Sequence, residues 1–171
     1  MPARLLKQDM GTGIFGKLPA VGDFVARGLP AGVRSPMDVW LTNQIVPLAL
    51  TATGWPEGGV RAAIILAQSP WLLLIEPSED AVGRQYPLVA CTPLVGADQA
   101  AADAWADAVW PMLLCGIEEG VGPDALLAGY AAMTVPAATS TALLPPLVWW
   151  PGVAPAAPTE RLSKLAHISS D

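Results

Sequence analysis

Three short apolar runs constrain this chain more than any other feature. Residues 60–66 are rich in Val, Ile and Leu and are bounded by Gly and Ser-Pro. Residues 71–75 form a continuous apolar run that stops at Glu76-Pro77, and residues 86–91 form a third. Each run has the length and composition of a buried strand. Strands without polar alternation must be covered on both faces, which calls for helices on either side of a sheet. The loop over 76–85 joins the second and third runs. It is polar, and its length of about ten residues makes the two strands antiparallel neighbours.

Around these runs the segment types alternate, as in a mixed α/β chain. Residues 13–17 read as a short strand and 18–29 as a Gly/Pro-punctuated loop. A helix follows, with Ser35 as its cap, Pro36 at the first helical position and Asp38 in the first turn. Met37, Trp40, Leu41, Ile45 and Leu48 recur at helical spacing and place Trp40 toward the core, and Pro47 should kink or end the helix. Residues 98–119 read as a second helix, with Trp105, Val109, Met112 and Leu113 on one face and an interruption at Pro111. Residues 123–133 read as a third helix and 147–150 as a final strand. Trp149 and Trp150 would point to opposite faces of that strand.

The chain has 171 residues, 53% hydrophobic and only 14% charged. Typical domains carry about 25% charged residues. This composition excludes disorder and supports one domain over residues 1–152, with a Pro/Ala-rich, loosely held tail over 153–171. Mean hydropathy is +0.44, yet the uncharged stretches 39–56 and 125–159 are broken by prolines and polar residues. Neither reads as a bilayer helix of about 20 apolar residues. Residues 1–11 lack the apolar core of a secretory signal, so the expected compartment is the cytoplasm, without membrane insertion.

Net charge is −6, and no Lys or Arg occurs between Gln85 and Glu160. Nucleic acid is therefore not an expected partner. The single histidine, His167, excludes His-rich metal sites and leaves a triad only a terminal, poorly placed base. Cys91 and Cys115 read as small buried side chains rather than a disulfide. No metal, cofactor or catalytic residue is assigned.

Two polar motifs remain. Gly11-Thr12-Gly13-Ile14-Phe15-Gly16-Lys17 matches the G-x-x-x-x-G-K spacing of a phosphate-binding loop. Leu18 stands where the magnesium-binding hydroxyl belongs, and Pro19 and Gly22 prevent a helix from starting there. The second is the loop with Ser78, Asp80 and Arg84. By spacing alone it reads as a self-capped loop, with a site as the alternative.

Taken together, Phe15-Gly16-Lys17-Leu18-Pro19, Gly22-Asp23-Phe24-Val25, Arg27-Gly28-Leu29-Pro30, Met37-Asp38-Val39-Trp40-Leu41, Pro77-Ser78 with Asp80, Val82-Gly83-Arg84, Tyr86-Pro87-Leu88 and Trp149-Trp150 resemble the TagF (ImpM) family of type VI secretion-associated proteins. The resemblance covers about residues 14–152. It implies a three-layer αβα sandwich with a mixed, largely antiparallel sheet. It further implies a bacterial cytoplasmic, non-enzymatic, post-translational regulator, generally a repressor. Such a protein would act by protein–protein binding, in a pathway that includes a forkhead-associated-domain partner. Alternatives are a nucleotide-binding or hydrolytic module using residues 11–17 or Ser78/Asp80, and a structural component of the secretion assembly. The motif residues Lys17, Asp23, Arg27, Trp40, Ser78, Asp80 and Arg84 are expected to support the fold or to bind the partner. The loops on either side are expected to meet, with Arg84 pairing with Asp23 or Asp80.

Overall fold

The computed structural model describes residues 11–49 and 54–168. Most of the segment 1–11 weighed for a secretory signal lies outside them. Six strands, β1 (Gly13–Gly16), β2 (Val25–Arg27), β3 (Val60–Leu66), β4 (Ser69–Glu76), β5 (Leu88–Pro93) and β6 (Leu147–Trp149), form one open sheet. Their order is β2-β1-β5-β4-β3-β6. Every pairing is antiparallel, the limiting case of the largely antiparallel sheet expected.

The three apolar runs became β3, β4 and β5, the central strands, and their period of two sorts them by face. Leu72, Leu74, Leu88 and Ala90 join one core with Trp105, Val109 and Leu113 of α3 (Gln99–Glu118) and with Leu126 and Tyr130 of α4 (Pro123–Tyr130). Leu73, Ile75, Val89 and Cys91 join a second core with Met37 and Leu41 of α1 (Arg34–Gln44), and with Leu162 and Leu165 of α5 (Pro158–Ile168). Helices thus cover both faces, which is the three-layer αβα sandwich. Trp149 enters the first core and its neighbour Trp150 the second, so both are buried on opposite sides of the sheet.

Several local expectations are corrected. Helix α1 begins at Arg34 with Val33 as its N-cap, and no side chain caps it. Ser35 sits inside the first turn, because the turn closed by Val33 N–H on the Pro30 carbonyl starts the helix earlier. The break expected at Pro47 falls at Ile45, and Pro47 lies in the short α2 (Val46–Ala49). Pro111 does not interrupt α3, which runs for 20 residues through it. Residues read as a plain loop contain β2. The stretch expected to be loosely held carries α5. Pro158 opens that helix, and Leu162 and Leu165 are only 5% exposed. Cys91 is a buried free thiol, its pKa pushed up to about 12 by burial, whereas Cys115 is free and only half-buried. Among the described residues, no helix is long and apolar enough to cross a membrane.

Candidate functional site

The first strand delivers the chain to the motif loops through a glycine. Gly16 has φ +129°, and a Cβ there would overlap the Pro87 carbonyl oxygen. Only glycine lets the backbones approach this closely. Lys17 N–H then donates to the same Pro87 carbonyl at 3.3 Å, so the end of β1 is fastened to the segment entering β5.

Asp80 is the centre of the junction. Its Oδ1 accepts the backbone N–H groups of Val82 and Arg84, both at 3.0 Å. Its Oδ2 accepts the Lys17 ammonium at 3.0 Å and the Arg84 Nε–H at 2.8 Å. The carboxylate side chain is fully buried and Lys17 nearly so. Burial by itself would raise the Asp80 pKa. The Arg84 N–H, the Lys17 ammonium, the Val82 N–H and the Arg84 guanidinium outweigh it and hold the carboxyl well below the usual range.

The same residues join the two loops. Ser78 Oγ–H donates to the Lys17 carbonyl at 2.8 Å. Arg84 Nη2 donates to the Gly22 carbonyl at 2.8 Å. Ala81 N–H donates to the Val21 carbonyl at 2.9 Å. The loop after β1 and the loop before β5 therefore form one unit around Lys17, Ser78, Asp80 and Arg84, with Asp80 rather than Asp23 as the partner of Arg84.

Three expected members stand elsewhere. Asp23 is exposed, and its carboxylate accepts its neighbour's N–H, that of Phe24, at 2.7 Å. Arg27 turns to α4, where it meets Asp124 at 3.1 Å in an exposed pair. Trp40 is half-buried on α1, not fully in the core, and borders a groove with Val39, Ile65 and Leu66. Charge type alone did not separate Asp23 from Asp80. The difference is the four-donor environment, which only the folded loop creates.

Sequence reasoning did not single out the aromatic residues beside this junction. Phe24, 39% exposed, lies with its ring centre 5.0 Å from the Lys17 ammonium and 4.8 Å from the Tyr86 ring. Tyr86 also meets Phe15 edge-on and donates its hydroxyl to Asp38 Oδ1 at 2.7 Å. Burial first, and then Asp38, keeps that phenol firmly protonated. Beside it lies a cleft of about 360 Å³ lined by Phe15, Phe24, Gly32, Arg34, Ser35 and Asp38. The signal was present in the sequence, since Phe24 and Tyr86 sit within the motifs that carry the resemblance.

The chemistry open to this arrangement follows from its occupied atoms. The Ser78 hydroxyl is committed to a carbonyl and both Asp80 oxygens to donors, so neither is poised to move a proton. Residues 13–16 of the G-x-x-x-x-G-K stretch are strand β1, and the next regular element is β2, not a helix whose N-terminus could receive phosphate. What the junction presents outward is Phe24, Val82 and the Arg84 side chain, the last two 71% and 62% exposed.

A solved structure, PA0076 from Pseudomonas aeruginosa PAO1, is similar with a TM-score of 0.61 and 27% identity, covering 93% of this chain and 77% of that one. No curated protein matches. Residues 13–133, which include both motif loops, match the family described as TagF N-terminal domain, Type VI secretion system-associated. The chain belongs to that family.

Proposed function

We propose that the chain is a cytoplasmic, non-enzymatic regulator of type VI secretion that represses the system post-translationally by binding a protein partner. The partner class that the family resemblance suggests is a forkhead-associated-domain protein of the same system. The observation that carries this reading is the division of labour in the loop junction. Its charges are buried and mutually satisfied, while Phe24, Val82 and Arg84 project from a rigid base. Rigid loops with exposed aromatic and Arg side chains suit recognition, because little entropy is lost on docking.

Pull-down from the native cytoplasm tests it. The wild-type chain should retain a type VI secretion protein, and a Phe24→Ala/Val82→Asp double variant should lose that protein while keeping its Tm. Retention by the double variant at wild-type level would remove the junction as the binding surface.

A further inference from the structure

A second cleft, of about 390 Å³, opens where the last turns of α3 meet the segment before β3 and the end of β4. Trp55, Trp110, Glu57, Glu76 and Glu118 are among the residues that line it. Both indoles are fixed through their N–H groups. Trp55 donates to the Ile75 carbonyl at 3.1 Å, and Trp110 donates to Glu76 Oε1 at 2.9 Å. With the N–H groups committed, the rings offer a ligand only their carbon surfaces.

Glu76 is 8% exposed, and among the described residues no Lys, Arg or His pairs with it. Arg61, two positions beyond Gly59, is committed to Asp103 and Asp107 at 2.6 Å each. Helix α3 ends with Glu118 and has no basic residue in its last turn, although carbonyl groups there favour a cation. Burial raises the Glu76 carboxyl to about 7, with the Trp110 N–H opposing and Glu118 adding to the rise.

A buried carboxyl without a counter-ion, a second acid facing it and an acidic helix C-terminus are each unfavourable in the isolated chain. One cation in the cleft relieves all three. Among the described residues, no group of acids is spaced to hold a metal ion. Two indole walls instead suit an organic cation, whose charge is drawn to aromatic faces.

We propose that this cleft binds a lysine or arginine side chain on a basic segment of a partner protein. The carboxylate of Glu76 receives the charge and Trp55 and Trp110 enclose the alkyl stem. The α3 side of the cleft supplies no such group, since no Lys or Arg occurs between Gln85 and Glu160, and Arg61 on the β3 side is paired with Asp103 and Asp107. The cleft is lined by residues other than those of the loop junction, so either surface can fail without the other.

The test is an NMR titration of the full ¹⁵N-labelled chain, following the indole N–H signals of its seven tryptophans. The probe is a hexa-arginine peptide. Saturable shifts of Trp55 and Trp110 are expected at pH 8, weakening about tenfold at pH 6 as a carboxyl near 7 takes its proton. Glu76→Gln should lose both the binding and its pH dependence. Exposed Glu118→Gln, which leaves the core untouched, should weaken binding several-fold. Shifts confined to other tryptophans, or unchanged binding by both variants, would overturn the proposal. Free agmatine binding as tightly as the peptide would overturn the assignment to a protein partner, because a small metabolite cation would then be the occupant.

Discussion

Asp80 shows how much a single residue holds together. A buried carboxylate with four donors on two oxygens has no unused acceptor capacity, and the donors come from three residues on the two loops, Lys17, Val82 and Arg84. Its two cationic partners are not equivalent. Lys17 is buried, whereas most of the Arg84 side chain faces solvent, where ion pairs are screened and contribute little. Lys17→Met should therefore lower Tm by clearly more than Arg84→Ala, measured by thermal unfolding at pH 7. The acid limb provides a second readout. The folded carboxyl lies below its unfolded value, so its stabilisation is present above the unfolded pKa and is lost as pH falls below about 4. Asp80→Asn should be less stable at pH 7 and should lose less of its stability on acidification.

At the scale of elements, what was legible follows from length and monotony. The runs over 60–66 and 71–75 are rich in apolar residues; β3 coincides with the first, and β4 contains the second with Ser69 and Pro70 added before it and Glu76 after. The third run begins two residues late, since Tyr86 and Pro87 still belong to the loop. Strand β2 escaped because three residues between glycines carry no period, and it exists only by pairing with β1. Helix α5 was hidden by Pro/Ala composition, although Pro158 at its start and Glu160 in its first turn are helix-opening signals. The junction was legible as two polar loops but not in its membership, since no spacing rule tells that Arg27 faces α4. The β3–β4 hairpin was equally silent. Ala67 and Gln68 connect the strands with φ of 49° and 65°, left-handed at both positions of a two-residue turn. Asn-Gly is the pair such a turn favours, and non-glycine residues there are strained. Ala67→Asn/Gln68→Gly should raise stability by about 1 kcal/mol, read as a higher urea midpoint with unchanged slope.

Across the whole molecule, buried carboxyls set opposite limits on stability, with the pKa values of Asp80 and Asp98 lowered and that of Glu76 raised. The folded Asp80 pKa is lowered, so it opposes unfolding above about pH 4. The folded Glu76 pKa is raised from 4.5 to about 7, mainly by burial, with the Trp110 N–H opposing and Glu118 adding. Between those two values the folded chain keeps a proton that the unfolded chain releases. Rising pH therefore favours unfolding over that window, and the loss is complete once pH exceeds the folded value. The shift corresponds to about 3 kcal/mol at full expression. Maximum stability should thus lie near pH 5, where Asp80 is ionised and Glu76 is still protonated, and not at neutrality. Urea unfolding at half-unit steps from pH 4 to 8.5 measures the curve. Glu76→Gln, which preserves shape and an acceptor for Trp110, should flatten the decline between pH 5 and 7 and leave the acid limb in place. A wild-type chain equally stable at pH 5 and pH 8 would show that Glu76 is ionised in the folded state at little cost, and that the cleft around it already satisfies the charge.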